Sequence, residues 1–158
     1  MKLTPNLALA GSAAAPVVAV GIALFTQHGL GMQPCPWCVL QRVIFVAIAA
    51  LALAALLPGG ALWRRVLTSG MAILAVCGIA AALWQHFVAA ASASCNLTLA
   101  DRINTSIGLD ALWPEVFAPY VSCADAAAKL LGVPYEFYSL TLFAVLAATA
   151  TWVLRRSA

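Results

Sequence analysis

The sequence contains very few charged residues. Only 8% of its 158 residues are Asp, Glu, Lys or Arg, whereas about a quarter would be charged in a soluble domain. This shortage excludes an ordinary soluble globular domain. The composition is 65% hydrophobic with a mean hydropathy of +1.01, which indicates an integral membrane protein. The net charge of +3 comes from dispersed basic residues, so it does not indicate a nucleic-acid partner.

Internal repeats and low-complexity tails are also absent from the sequence. The length allows one compact helical bundle, and we predict a single four-span domain over 1–158. The five cysteines are an odd number, so at least one thiol is free or pairs outside the chain.

Four apolar runs approach the ~20 residues that span a bilayer. The predicted spans are 7–25, 39–57, 66–85 and 135–154. A cleaved signal peptide is the alternative for the first run, since Lys2 precedes it and small residues follow at 11–15. We favour a retained span, because the apolar run continues past these small residues. The predicted fold class is therefore all-α: an integral membrane four-helix bundle with a short first outer loop, 26–38, and a long second outer loop, 86–134.

Charge orients this bundle. Five of the eight basic residues lie at the termini or between the second and third spans: Lys2, Arg64, Arg65, Arg155 and Arg156. All five acids lie in or next to the second outer loop: Asp101, Asp110, Glu115, Asp125 and Glu136. The positive-inside rule then predicts that both termini are cytoplasmic. Four cysteines face outward as a consequence, toward the compartment where disulfides form and persist.

The chain is organised around a Cys-x-x-Cys pair, Cys35 and Cys38, just before the second span. Two cysteines this close can form a strained, easily exchanged disulfide. Pro34 and Pro36 disfavour helix up to this point, so we expect Cys38 at or near a helix N-terminus, where the dipole favours a thiolate. Arg42 lies four residues later, shares that helix face and adds a permanent positive charge.

This stretch also has simpler interpretations. A Cys-x-x-Cys also occurs as half of a zinc site, and an average arginine at a helix end snorkels to the headgroups. A haem-attachment site would need His after the second cysteine, where this sequence has Val39. Two thiols, a helix start and an arginine on one face together favour a redox centre.

Two further cysteines lie in the second outer loop. Cys95 has small, polar neighbours, typical of an exposed, mobile thiol. The apolar residues between Cys95 and Cys123 are interleaved with polar ones, which predicts short helical pieces on the membrane surface. A small cap packed on the helix ends is a compatible alternative. Cys77, in the middle of the third span, is predicted to be a buried, inert core residue.

Several residues near the span ends have modest predicted roles. An interfacial aromatic belt is expected from Trp37, Trp84, Trp113 and Tyr135. Glu136 is expected to stabilise a helix dipole rather than to act in catalysis. His86 closes the third span, where a histidine usually meets the interface, although it could instead hydrogen-bond a ligand's carbonyl.

These features together resemble the DsbB family of bacterial inner membranes. The resemblance covers essentially the whole chain: the Cys-x-x-Cys at the second span, Arg42, a Trp-Gln-His ending at His86, and the Cys95 and Cys123 pair. The family is a quinone reductase that reoxidises DsbA, a soluble periplasmic thioredoxin-fold oxidase. The resemblance implies a multi-pass inner-membrane enzyme with periplasmic redox cysteines, cytoplasmic termini, no metal, and ubiquinone or menaquinone as cofactor.

The resemblance also implies a role for each of the four candidate catalytic cysteines. Cys95 would form the intermolecular disulfide with the partner. Cys123 would be its intramolecular partner and connect that pair with Cys35. Cys38 would be the thiolate that donates to the quinone.

Arg42 and His86 would help bind the quinone. Physical logic agrees with these assignments, since quinones occupy the bilayer and a soluble partner approaches from water. A thiolate at the membrane boundary, Cys38, and a docking cysteine on a polar loop, Cys95, meet these two requirements.

Two other classes of membrane protein share part of this pattern. A vitamin K epoxide reductase-like thiol oxidase also has four helices, but that family is expected to carry its Cys-x-x-Cys on a late span, the reverse of the order here. A non-enzymatic membrane protein could bind one zinc ion through four cysteines. The pair of Cys95 and Cys123 lacks Cys-x-x-Cys spacing and has no neighbouring histidine, which counts against that site.

Overall fold

The fold is a bundle of four long helices with a cap of short helices at one end. A computed structural model describes residues 4–91, 98–127 and 129–156. The long helices are α1 (Pro5–Leu30), α2 (Pro36–Leu56), α3 (Ala61–Trp84) and, as the last element, α7 (Tyr135–Arg156). Each is long and apolar enough to cross a membrane. The predicted all-α membrane bundle is therefore confirmed.

The remaining elements are short. A π-helical turn, Gln85–Ala89, continues α3. The cap contains α4 (Leu99–Ile107), α5 (Leu109–Leu112) and α6 (Pro114–Phe117). A two-residue antiparallel pair, β1 (Lys129–Leu130) and β2 (Val133–Pro134), leads into α7.

Local signals set the first two helix boundaries. Thr4 caps α1 by accepting a hydrogen bond from the Leu7 N–H, and Pro5 fits the first turn because it has no N–H to leave unpaired. α1 runs on to Leu30 and ends at Gly31, whose φ of +69° is a left-handed cap that glycine adopts without strain. The first connection is therefore shorter than the predicted loop 26–38, since no residue before Gly31 stops the helix.

Small residues allow the helices to pack closely. α2 lies between α1 and α3, and α7 packs against α3 and α1, which closes the bundle. In its core the rings of Phe45 and Phe143 stack with centroids 4.1 Å apart. A Cβ added at Gly78 would come within 2.4 Å of the Phe143 ring, so this glycine permits the contact between α3 and α7.

The prediction that Cys77 is buried is wrong. Cys77 is exposed on the outer face of α3. Consecutive residues of an α-helix point about 100° apart. Because Gly78 faces Phe143 in the core, its neighbour is turned away from it. The third span is apolar on every side, so its sequence did not reveal this rotation.

The segment after α3 forms the expected short helices, and they pack on the start of α2. Thr98 and Asp101 form a capping box at the N-terminus of α4. Asn104, which is buried, donates from Nδ2 to the Pro36 carbonyl at 3.0 Å. The Tyr120 N–H donates to the Pro34 carbonyl at 2.9 Å. The cap therefore holds both sides of the Cys-x-x-Cys segment.

Candidate functional site

The Cys-x-x-Cys pair lies at the first turn of α2. Cys35 is the N-cap residue, and its sulfur accepts the Cys38 N–H at 3.4 Å. Pro36 occupies the first helical position, where its missing N–H costs nothing. The two Sγ atoms lie 2.9 Å apart. Cys38 is thus in the first helical turn, as the sequence predicted, and the positive end of the helix dipole points toward it.

A third thiol from the outer segment joins this pair. Cys123 is buried and accepts hydrogen bonds from the Cys35 thiol and from the Trp37 backbone N–H. The sulfur of Cys35 therefore contacts both Cys123 and Cys38. This arrangement suits thiol–disulfide exchange, because a thiolate must reach one sulfur of a disulfide to attack it.

Hydrogen bonding shifts the pKa values of Cys35 and Cys123 in opposite directions. The pKa of Cys35 is raised far above its ordinary value, because hydrogen bonding to Cys123 and then to Cys38 favours its protonated form, and burial adds to this. The pKa of Cys123 is lowered, chiefly because Cys35 donates to its sulfur. Of the two, Cys123 is the better prepared to be a thiolate.

The fourth candidate cysteine, Cys95, lies outside the described residues. The predicted disulfide between Cys95 and Cys123 and the predicted intermolecular disulfide between Cys95 and a partner protein therefore also lie outside the described residues.

Arg42 lies one turn after Cys38 and is buried. Its Nη1 donates to Gln27 Oε1 at 2.7 Å and to the Val116 carbonyl at 2.9 Å. Gln27 in turn donates from Nε2 to the Glu115 carbonyl at 3.1 Å. The guanidinium is therefore held inside the protein between α1 and α6, and the snorkelling alternative does not describe it.

A cavity of about 310 Å³ lies beside Cys38 among α1, α2 and α7. This volume is at the lower end of the ~300–1,000 Å³ typical of small-molecule sites. Most of its lining is apolar, from residues such as Val20, Ala23, Phe45 and Leu142. Its polar lining includes Thr26, Gln41, Arg42, Gln85, Tyr135 and Glu136. The cavity can accept a flat, largely apolar group with polar atoms at its edge.

His86 is near this cavity without lining it. Its Nδ1 lies 2.6 Å from Oε1 of Glu136, and its ring meets those of Phe87 and Phe137 edge-on at 4.8 Å. Glu136 is buried in the first turn of α7 and does line the cavity. Sequence reasoning missed this role of Glu136. The signal was available, since an ionisable residue inside a membrane span is a functional candidate by default.

Two glutamines missed by sequence reasoning form a hydrogen-bonded pair that reaches Cys38 through Gln85. Gln85 Nε2 donates to the Cys38 sulfur at 3.3 Å, and Gln41 Nε2 donates to Gln85 Oε1 at 2.7 Å. Both amides are buried. Their polarity within apolar spans was the available signal, but the contact joins two helices and cannot be read from spacing along one of them.

The predicted aromatic belt does not include Trp37. Trp37 is buried, with its ring centroid 6.3 Å from that of Trp84. Trp84 and Trp113 are exposed, and their place in an interfacial belt stays a prediction. Tyr135 lines the cavity instead of standing free at a membrane interface. The cap covers the start of α2, which explains why Trp37 is enclosed.

Comparison with known proteins identifies the family. The sequence profile described as "Disulfide bond formation protein DsbB" matches residues 5–153. Three relatives are each called "Disulfide bond formation protein B". The Aromatoleum aromaticum protein is 32% identical over 87% of this chain and 84% of its own length. The Ralstonia nicotianae protein is 33% identical over 82% and 81%. The Chromobacterium violaceum protein is 32% identical over 91% and 89%.

No solved structure is significantly similar to this chain. The profile match covers nearly the whole chain and the relatives are covered over most of their length, so the resemblance read from the cysteine pattern is confirmed. Family membership therefore favours the DsbB interpretation over the vitamin K epoxide reductase-like and zinc-site alternatives. The chain therefore belongs to the DsbB family and is a multi-pass inner-membrane disulfide oxidoreductase that serves disulfide bond formation.

Proposed function

We propose that this protein reoxidises a periplasmic DsbA-like thioredoxin-fold dithiol oxidase and passes the electrons to membrane quinone. The observation that carries the proposal is the row of sulfurs from Cys123 through Cys35 to Cys38, which ends at an apolar cavity. Such a row connects a water-facing loop with a site for a lipid-soluble acceptor.

The thiol chemistry proceeds by exchange. The partner's two thiols reduce a Cys95–Cys123 disulfide, so the partner leaves oxidised. The Cys123 thiolate then attacks Cys35 of a Cys35–Cys38 disulfide, which forms a Cys123–Cys35 bond and releases Cys38 as a thiolate. Cys95 attacks Cys123, which restores the Cys95–Cys123 disulfide and leaves Cys35 as a thiol. Two electrons have then moved from the partner to the Cys35 and Cys38 pair.

The cavity beside Cys38 fits a quinone head group. A quinone bound there would accept two electrons and two protons. The apolar walls suit its ring, and Arg42 and Tyr135 offer donors for its carbonyl oxygens. Arg42 adds a positive charge beside the Cys38 thiolate. His86 contributes through Glu136, whose carboxylate it holds at the cavity wall.

The proposed orientation places both termini in the cytoplasm and the redox cysteines in the periplasm. Arg64 and Arg65 lie near the start of α3, and Arg155 and Arg156 lie in the last turn of α7. These ends of the helices are opposite to the end that carries Cys35. The separation of charge from thiols supports this orientation under the positive-inside rule.

The test is anaerobic mixing of the purified protein with quinone and a reduced thioredoxin-fold dithiol while quinone absorbance is followed. We expect one quinone to be reduced for each partner dithiol oxidised. Cys38→Ser should abolish the absorbance change, whereas Cys77→Ser, a cysteine on the outer face of α3, should leave it intact. A wild-type protein that oxidises the dithiol while quinone absorbance stays constant would contradict the proposal.

A further inference from the structure

Two buried amides form a hydrogen-bonded chain that ends on the sulfur of Cys38. Gln41 and Gln85 are 3% and 6% exposed, so their polar groups cannot rely on bulk water. Burying an amide without a partner is costly. Here Gln41 satisfies the Gln85 carbonyl at 2.7 Å, and Gln85 donates to the Cys38 sulfur at 3.3 Å. Both residues also line the cavity.

The direction of this chain matches a negatively charged sulfur. A thiolate only accepts hydrogen bonds, so an amide facing it must present its NH₂ group. Turning the Gln85 amide around would place its carbonyl oxygen against the thiolate and its NH₂ against that of Gln41. With Cys38 as a thiolate, the observed orientation gives the sulfur a donor and gives the NH₂ group of Gln41 an acceptor. Gln41 favours this orientation because its own NH₂ group faces the Gln85 amide.

The backbone presents Gln85 at this point through an irregular turn. Gln85 is the first residue of the π-helical turn that continues α3. An inserted π-helical turn changes the direction of successive side chains and is often found at functional sites. In this turn Gln85 reaches Cys38 while His86 reaches Glu136.

We propose that Gln85 is a catalytic residue that stabilises the Cys38 thiolate by hydrogen bonding, and that Gln41 is the positioning residue that fixes the Gln85 amide. The need for a thiolate rests on the proposed function. The stabilisation itself belongs to the reduced protein and is present without quinone. It acts together with the helix terminus and Arg42, but it adds no charge to the site.

The test is the pH profile of Cys38 alkylation in reduced, quinone-free protein, measured by peptide mass spectrometry with a small membrane-permeant reagent. Gln85→Met keeps similar volume and removes the donor. We expect the midpoint of the profile to rise by about 1–2 pH units, the size expected for losing a hydrogen bond to a charged group. Gln41→Met should give a smaller rise, because the Gln85 amide remains but is free to turn.

Thr68→Val is the matched control. Thr68 is a fully buried polar residue of α3 whose hydroxyl donates to the Arg64 carbonyl of its own helix. Thr68→Val should leave the midpoint of the Cys38 alkylation profile unchanged. A rise in Thr68→Val as large as that in Gln85→Met would show that any loss of buried polarity in the bundle raises the midpoint, and it would overturn the proposal. An unchanged midpoint in a folded Gln85→Met protein would also overturn it. If Gln85→Met does not fold, the Gln41→Met midpoint decides in the same way.

This result is separable from the proposed function. A wild-type protein that reduces quinone, together with unchanged midpoints in both glutamine variants, refutes the role of the glutamines alone. Raised midpoints in a protein that never reduces quinone would refute the proposed function and leave the thiolate stabilisation standing.

Discussion

At the scale of single residues, Arg42 is a charged side chain buried inside the bundle. A buried charge is costly unless it is hydrogen-bonded. The acceptors of the Arg42 guanidinium, Gln27 Oε1 and the Val116 carbonyl, are neutral oxygens. Neither acceptor cancels its charge. The positive charge therefore remains available to the cavity beside Cys38, where it favours a thiolate or a polarised carbonyl.

Replacing Arg42 should weaken the quinone site. Arg42→Ala removes a fixed charge and a donor, and losing a hydrogen bond to a charged group costs about 1.5–3 kcal/mol, or roughly 10- to 150-fold in affinity. Arg42→Lys keeps the charge without the planar fork, so its defect should be intermediate. The measurement is the apparent Michaelis constant for quinone, together with single-turnover exchange with the partner, which should survive.

Gln27→Met is the control for the anchoring of Arg42, because it removes an acceptor and keeps the guanidinium. Its effect on the quinone constant should be smaller than that of Arg42→Ala. Unchanged quinone kinetics in Arg42→Ala would show that the arginine serves structure alone.

The acidity of Cys123 gives a pH prediction. Its pKa is lowered chiefly by the hydrogen bond from Cys35, so in the reduced protein it should be alkylated at a lower pH than an ordinary thiol of pKa about 8.5. Cys35→Ala removes that donor, and the midpoint of the Cys123 profile should rise. Mass spectrometry of alkylated peptides provides the measurement, with Cys77→Ala as the control. A midpoint that is the same with and without Cys35 would contradict the assigned hydrogen bond.

At the scale of elements, the close contact between α3 and α7 depends on Gly78. Gly78→Ala would bring a methyl group within 2.4 Å of the Phe143 ring, and overpacking of this kind typically costs about 1–3 kcal/mol. The free energy of unfolding, measured by denaturant titration in detergent, should fall by that amount. Gly11→Ala is the matched control in α1, because an added Cβ there meets nothing within 4 Å. Equal stability of the two variants would argue against the contact.

The outer segment should act as the element that captures the partner. Cys123→Ser removes the resolving thiol, so a mixed disulfide between Cys95 and the thioredoxin-fold oxidase should accumulate. Cys95→Ser should trap nothing through this segment. Non-reducing electrophoresis followed by mass spectrometry identifies the trapped species. Equal trapping by both variants would remove Cys95 from its proposed role.

At the scale of the whole molecule, the orientation in the membrane can be tested with thiol labelling. In intact, reduced cells a membrane-impermeant reagent should label Cys95 in a variant that keeps only this cysteine. A variant that keeps only Cys77 should stay unlabelled. Cys77 is exposed on the outer face of α3, and because α3 is long and apolar enough to cross the membrane, this face should meet lipid, which an impermeant reagent does not enter. A cysteine introduced at Ala61, at the start of α3, should be labelled only after permeabilisation. Labelling of Ala61→Cys in intact cells would reverse the proposed orientation.

The four-helix membrane fold and the position of Cys38 near a helix N-terminus could be read from the sequence because their causes are local. Hydropathy over about 20 residues marks a span. α2 nevertheless begins at Pro36, two residues before the expected start at Cys38, because proline is tolerated at the first helical position although it disfavours a helix interior. The same locality placed Cys38 and Arg42 on one helix face, since residues four apart are neighbours on any helix. These features depend only on residues close together in the chain.

Only the tertiary structure decided which residues meet across the bundle. It brought Cys123 to Cys35, Gln85 to Cys38 and Glu136 to the cavity wall. It also turned Cys77 outward. A helix that is apolar on every side carries no sequence signal for the face it turns inward. The rotation of each helix is set by close packing, such as that of Gly78 against Phe143, and that packing exists only when the helices are assembled.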